Sequence, residues 1–186
     1  THLSLLLSGL QRGKLGDDEV RDAVQLSMAE LRLLLDARSP STETLVEAIS
    51  NLRHRLEPRL QLAGASTSWQ VDDKAEHAIL SAEATLHVLR MVQECVTNAV
   101  RHGRASQVGY RVSRADTAGG AELCIEVSDN GCGPDEASPA TRGSGAGLEN
   151  IRTRAAALGG RFELKRTDAR TIATITLPAV SGSSTN

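Results

Sequence analysis

Aromatic residues are nearly missing from this sequence: one Trp, one Tyr and one Phe make up 2% of its 186 residues. That scarcity disfavours a surface on which single-stranded nucleic acid stacks its bases. An excess of charge of one sign is missing too. Lys and Arg number 21 against 23 Asp and Glu, for a net charge of −2, so no general basic field draws the chain to DNA or to an anionic membrane. No apolar run approaches the ~20 residues that a membrane span needs, and nothing has the pattern of a signal peptide. No nucleic-acid partner and no membrane contact by this stretch are therefore expected. The cysteines, Cys95, Cys124 and Cys132, form no C-x-x-C pair and fit no zinc-ligand spacing. They read as free thiols of a reducing, cytoplasmic compartment. A chain that opens on Thr1 instead of Met reads as a piece of a longer protein, and a membrane anchor elsewhere in that parent is compatible with all of this.

What is present is 40% hydrophobic residues, enough for a real core, laid out in two regions. From residue 17 to about 63 the pattern is helical, broken near Arg38-Ser39-Pro40-Ser41, because proline restricts the residue before it. Val20, Val24, Met28, Leu31 and Leu35 recur at helical spacing before the break, and Leu45, Ile49, Leu52, Leu56 and Leu60 after it. Residues 1–63 thus predict a helical hairpin preceded by the tail of a further helix. A pair of helices leaves an apolar seam too large to hide alone. A homodimer through these helices is expected, with Leu52 and Leu56 at or near the interface; packing on the rest of the chain is the alternative.

Gly64 marks a change of character. Residues 64–180 predict an extended stretch at 66–71, a helix at 82–103, and strands at 107–113 and 122–128 joined by a small polar loop or hairpin turn over 115–121. A glycine-rich stretch over 131–147 leads into a helix that stops at Leu158-Gly159-Gly160. Strands at 161–166 and 171–177 form a terminal hairpin across Asp168-Ala169, and 181–186 is expected to be a disordered tail. Helices sorted with a mixed, mostly antiparallel sheet make this α+β, a two-layer sandwich.

The helix at 82–103 carries polar residues in an odd place. Val88, Leu89, Val92, Cys95, Val96, Ala99 and Val100 fall on one broad apolar arc, while Glu94, Asn98 and His102 follow one another by a turn along its edge. All three can point into one cleft. Downstream, Val127-Ser128-Asp129-Asn130-Gly131-Cys132-Gly133 places a carboxylate at a strand end before glycines that allow tight turns. Asp129 could accept a hydrogen bond from an exocyclic amine while Gly131 and Gly133 leave room for a flat ring. In the second cluster Gly143, Gly145 and Gly147 run straight into a helix start, where free amides and the helix dipole suit phosphate oxygens. Each cluster alone has an ordinary reading as a loop. The second is not a Walker pattern, since no Lys-Ser or Lys-Thr follows. It is not a Rossmann fingerprint either, because alternating parallel strands are missing.

The ordered series is more specific. Gln93-Glu94-x-x-x-Asn98-Ala99-x-x-His102, then Asp129-x-Gly131-x-Gly133, then Gly143-x-Gly145-x-Gly147-Leu148 and Leu158-Gly159-Gly160 resembles the ATP-binding domain of bacterial sensor histidine kinases. More narrowly it resembles the subfamily that partners response regulators of the NarL and LuxR type. The resemblance spans about residues 86–178 and implies a Bergerat-type ATP-binding fold. It further implies ATP and Mg2+ as cofactors, with Asn98 as the metal ligand and Glu94 either holding a metal-bound water or orienting the attacking group. His102 and Arg101 would reach phosphates, although Arg101 is equally readable as a solvated charge. Gly145, Gly147 and Leu148 would lie along the nucleotide, residues 134–142 would form a short lid, and Thr171, in the closing strand, would lie near the adenine. Arg170 stands where the family usually has glycine. The front region resembles, less specifically, the family's dimerisation and phosphotransfer domain. Its phosphoacceptor histidine is apparently absent: His2 precedes Leu3-Ser4 and not an acidic residue. The implied activity is transfer of the γ-phosphate of ATP to a histidine of the parent dimer, for relay to an aspartate on a response-regulator receiver domain. Alternatives are an anti-sigma-factor-type serine kinase with the same pocket, or a dimeric scaffold that senses nucleotide without turnover.

Overall fold

The structure is a computed structural model that describes residues 43–132, 146–167 and 169–179. The chain divides into two units, Thr1–Ser41 and Thr42–Asn186, and every described residue belongs to the second. The first helix of the expected hairpin, the lid at 134–142, Gly133, Gly143, Gly145 and the C-terminal tail all lie outside the described residues.

Three helices and five strands make up the described unit in the order α1 (Leu45–Leu62), β1 (Ser66–Val71), α2 (Ala82–Arg101), β2 (Gln107–Thr117), β3 (Gly120–Asp129), α3 (Ala146–Ala157), β4 (Arg161–Arg166) and β5 (Thr171–Pro178), with a short 3-10 turn at Asp73–Ala75. The strands form one sheet in the order β1-β2-β3-β5-β4. Only the β1–β2 pair is parallel; the other three are antiparallel. The expected α+β class and mixed sheet are what the structure shows.

Alternation along the strands sets the layers. Val108, Tyr110 and Val112 of β2, Leu123, Ile125 and Val127 of β3, and Ala173, Ile175 and Leu177 of β5 are buried, while their neighbours are more exposed. Period two puts these residues on one face, and the apolar arc of α2 (Val88, Leu89, Met91, Val92, Cys95, Val96, Ala99) closes the same core. Trp69, on the register partner of Tyr110, packs a tilted ring 6.3 Å from it. The Arg53 guanidinium of α1 lies 5.9 Å over the indole.

Helix α1 opens on a capping box. The Thr44 hydroxyl accepts from the Glu47 amide at 3.2 Å, and the Glu47 carboxylate accepts from the Thr44 amide at 2.7 Å, which occupies helix-end donors and holds the Glu47 carboxyl below its usual value. α1 and α3 end alike. Gly64 (φ +75°) and Gly159 (φ +70°) adopt the left-handed conformation that side chains resist. The next amides, of Ala65 and Gly160, return to Leu60 and Ala155 carbonyls at 2.8 and 2.9 Å, a Schellman stop.

Two expectations meet differences. The segment read as a loop or hairpin turn over 115–121 is a hairpin, but the strands run further into it than expected, because the ladder continues through Ala115↔Glu122, Asp116↔Ala121 and Thr117↔Gly120. Backbone pairing outlasts the apolar alternation that signalled the strand. The helix α1 packs on α2 and β1, and Leu45, Ile49, Leu52 and Leu60 are buried in a single chain, Leu52 with 4% of its surface exposed. Leu52 is thus covered within one chain, as the alternative of intramolecular packing expects, while Leu56 is half-buried. Periodicity showed that the stripe would be covered and could not show by what. Arg170, in the family's glycine position, needs no left-handed backbone, since Arg104 (φ 52°) is the sole positive-φ non-glycine among the described residues. Its hairpin closes through Thr167 N–H to Arg170 O at 2.8 Å and Thr167 Oγ1 to the same oxygen at 3.1 Å.

Candidate functional site

The cleft forms where one end of the sheet meets the C-terminal half of α2 and the first turn of α3. α2 is fixed in rotation by its buried arc, which leaves Glu94 and Asn98 half-buried on its edge. The helix stops just beyond them, where the amides of His102 and Gly103 both return to the Asn98 carbonyl at 3.0 Å. α3 comes down on that edge. A Cβ built on Gly147 would collide with Oε1 of Glu94 and would stand 3.6 Å from Nδ2 of Asn98. Glycine lets the start of α3 sit directly over these two side chains without displacing Glu94. The first amides of a helix have no partner within it, so donors with partial positive charge are delivered next to a carboxylate and a carboxamide.

The other wall is the last row of the sheet. Register aligns Val108 with Asp129, Asp129 with Thr171 and Thr171 with Arg166, so three polar side chains replace the apolar row behind them. Asp129 Oδ1 accepts from the Gly131 amide at 2.8 Å. A Cβ on Gly131 would collide with the Gly103 carbonyl oxygen, which already accepts from the Cys132 amide at 2.8 Å. Burial raises the Asp129 carboxyl above its ordinary value, and the Gly131 amide and the Arg166 charge offset this only in part. Thr171 is buried and its hydroxyl accepts from Arg166 Nη1 at 3.0 Å, which leaves its proton for another acceptor.

The residues expected to act together are thus gathered from distant stretches: Glu94, Asn98 and Gly147 on one side, Asp129, Gly131 and Thr171 on the other. His102 is the helix cap between them, and Leu148 is half-buried beside Gly147. Arg101 is exposed in the last turn of α2. Among the described residues no cluster of three His, Cys, Asp or Glu side chains could hold a metal; the donors at Gly147 are one carboxylate and one carboxamide. Cys95 lies in the core under this site, its thiol pushed up to about 12 by burial first and then by Glu94 and Asp129. It is no nucleophile.

Sequence reasoning passed over three contributors. Asn130 Oδ1 accepts from the amides of both Ser106 and Gln107 at 2.9 Å, tying the Asp129 loop to the start of β2. Gly103 gives its carbonyl to Cys132. Arg166 gives one nitrogen to Gly131 O at 2.6 Å as well as to Thr171. The Asp-Asn-Gly run signals a side chain that bonds its own backbone, as Asp129 does with Gly131; nothing local marks the long-range bonds of Asn130 or Arg166.

Comparison with known proteins agrees with this geometry. Residues 83–181 match the family described as histidine kinase-, DNA gyrase B- and HSP90-like ATPase. The nitrate/nitrite sensor protein NarX of Escherichia coli strain K12 is 29% identical over 150 residues, 80% of this chain and 23% of that protein. The sensor histidine kinase LnrJ of Bacillus subtilis is 35% identical over 140 residues, 74% of this chain and 32% of that protein. The chain therefore spans about a quarter to a third of the length of these curated relatives. Among solved structures, the Acinetobacter baumannii histidine kinase AdeS superposes with a TM-score of 0.56 at 16% identity, covering 97% of this chain and 96% of that one. The blue-light activated histidine kinase EL346 of Erythrobacter litoralis reaches 0.61 at 19% identity, over 96% of this chain and 62% of that one. At such identities the likeness is one of fold.

Proposed function

The chain belongs to the histidine kinase-, DNA gyrase B- and HSP90-like ATPase family and carries the catalytic ATPase part of a sensor histidine kinase, and on that premise we propose how its cleft takes ATP and what the parent does with it. Adenine enters against the last row of the sheet. Asp129 accepts from the exocyclic amine, and Gly131 and Gly133 leave space for the ring. The phosphates run toward α3, where Gly143, Gly145 and Gly147 allow close backbone approach and the helix amides meet the oxygens. His102 stands at the end of α2 between base and phosphates.

Magnesium fits the Glu94–Asn98 edge. Carboxylate and carboxamide oxygens are the hard donors that Mg2+ prefers while it keeps several waters, and the space above them is one a Cβ at position 147 would fill. Asn98 would hold the ion, and the ion when bound offsets phosphate charge. Glu94 orients the attacking group. In the parent protein that group is an imidazole of its own dimer: the bond from the bridging oxygen to the γ-phosphorus breaks as one to the imidazole nitrogen forms, ADP leaves, and an aspartate of a response-regulator receiver domain takes the phosphoryl group next. The N-terminal region that the sequence predicts to be helical would supply the dimer contact.

The observation that most supports this reading is the seating of Gly147 on Glu94 and Asn98, which joins the phosphate-type helix start to the metal-type side chains. Asn98→Ala should abolish the magnesium dependence of ADP binding in titration calorimetry; an unchanged affinity and metal response would remove Asn98 from the site. Base reading is tested separately. Guanine places an oxygen where adenine has its amine, so two acceptors would face each other at Asp129. An unmet buried carboxylate loses roughly 1–3 kcal/mol, about fivefold to 150-fold in affinity. ADP should beat GDP by that factor, and Asp129→Asn should weaken ADP and narrow the gap. Equal binding of ADP and GDP by the unaltered chain would refute the base-reading role.

A further inference from the structure

We propose that Arg166, on the edge strand β4, is a positioning residue of the base pocket that fixes the Asp129–Cys132 loop from across β5. The inference rests on the adenine-reading role given to Asp129 above.

The geometry is that of a clamp. β5 lies between β3 and β4, yet Arg166 reaches past it. Its Nη1 donates to the Gly131 carbonyl at 2.6 Å and to Thr171 Oγ1 at 3.0 Å, so one guanidinium nitrogen joins the loop after β3 to the first residue of β5. The peptide between Gly131 and Cys132 is held from both sides. Its oxygen is taken by Arg166, and its N–H donates to Gly103 O at 2.8 Å. The amide one residue earlier donates to Asp129 Oδ1. With Oδ1 occupied, a base amine has Oδ2 to meet, and the direction of that oxygen depends on the loop staying where Arg166 and Gly103 hold it. Gly131 has no side chain with which to fix itself.

Arg166 also has an electrostatic part. The charged and titratable groups that interact with Asp129 are Arg166 from β4 and the buried Cys95 thiol from α2, and that thiol also feels Glu94. Arg166 is the cation that acts on Asp129, and it opposes the burial that raises the carboxyl. A base amine needs the ionised form as acceptor. The sign follows: a raised acid loses its charge as pH falls through a value above 3.8, so ADP binding weakens on acidification, and removing Arg166 moves that weakening to higher pH.

The test compares the unaltered chain with Arg166→Gln, Arg166→Lys and Asp129→Asn, reading ADP affinity by competition with a fluorescent nucleotide from about pH 4.5 to about pH 8. A thermal melt of each protein sets the temperature at which all are folded. Arg166→Gln should lose about tenfold in ADP affinity at neutral pH and show its acid weakening at higher pH. Arg166→Lys keeps the charge but lacks the fork, so it should restore the position of the acid limb while leaving neutral-pH affinity reduced. If Asp129→Asn weakens ADP and Arg166→Gln matches the unaltered chain in affinity and pH profile, the clamp is wrong and the base-reading role stands. If Asp129→Asn itself binds ADP like the unaltered chain, the base-reading role fails first and the clamp falls with it. A loss in Arg166→Gln that is constant across pH, with Lys no better than Gln, would make Arg166 a merely structural residue.

Discussion

Two rows of the same sheet face carry opposite tasks. Val71, Val112, Ile125, Ile175 and Phe162 stand in one register row, and four residues along the strands Thr67, Val108, Asp129, Thr171 and Arg166 stand in another. The first is closed by helices and holds three residues, Val112, Ile125 and Ile175, with almost no exposed surface. In the second, past the point where the arc of α2 gives out at Ala99, the inward direction continues but the covering helix does not. The pocket is therefore the open end of the core, built from the same alternation, with polar side chains placed where apolar ones would have been left wet. It follows that stability and recognition are divided along the strands and not between separate structures.

Three substitutions would break or sharpen that division. The largest effect belongs to the closed row. Ile175→Ala removes a fully buried side chain at the centre of the sheet and should cost about 2–5 kcal/mol of unfolding free energy, read by urea denaturation, while the folded fraction keeps its ADP affinity. An equal loss of affinity would show that the two rows are not separable. Gly147→Ala should do the reverse. The added methyl meets the far end of the flexible Glu94 side chain, which can swing away, so stability should stay within about 1 kcal/mol of the original. With Glu94 displaced, magnesium-dependent ADP affinity should fall roughly tenfold or more; unaltered calorimetric titrations would mean that the Glu94 position is immaterial. The smallest effect is at neither row. Thr44→Ala deletes the cap of α1 and should cost about 1 kcal/mol with no change in nucleotide binding. It should shift a single melting transition; a separate early transition would mean that α1 unfolds apart from the sheet.

Most of the architecture and much of the pocket could be read before any coordinates. The apolar arc of α2 dictated its rotation, and that rotation put Glu94 and Asn98 on one edge. Glycine spacing before α3 pointed to a close approach, although not to the side chain that Gly147 would touch. What stayed hidden has a common physical origin. Whether the stripe of Leu45, Ile49 and Leu52 meets another copy or its own sheet is a matter of tertiary placement, to which helical periodicity is blind. Residues 115–117 and 120–121 pair through backbone groups that every sequence has. Arg166 serves the pocket only because β5 lies between it and Asp129, a strand order that no local pattern encodes.

The inward packing of α1 bears on how such proteins can be cut and rejoined. Gly64 looks like a natural seam, with a helix before it and a strand after it, and a chimera built there would exchange everything up to residue 63 for the front half of another kinase. Such a graft would discard Leu45, Ile49 and Leu52, strip the cover from part of the α2 face, and replace it with a helix never matched to that surface. The first turn of α1 is also fastened to the unit by its own backbone, Leu45 N–H to Ala78 O at 2.8 Å. A donor domain should therefore be taken from Thr42 onward, so that α1 travels with the sheet it covers. Swaps made at that junction should yield soluble hybrids, and swaps at Gly64 should yield protein that aggregates even where both parents behave well.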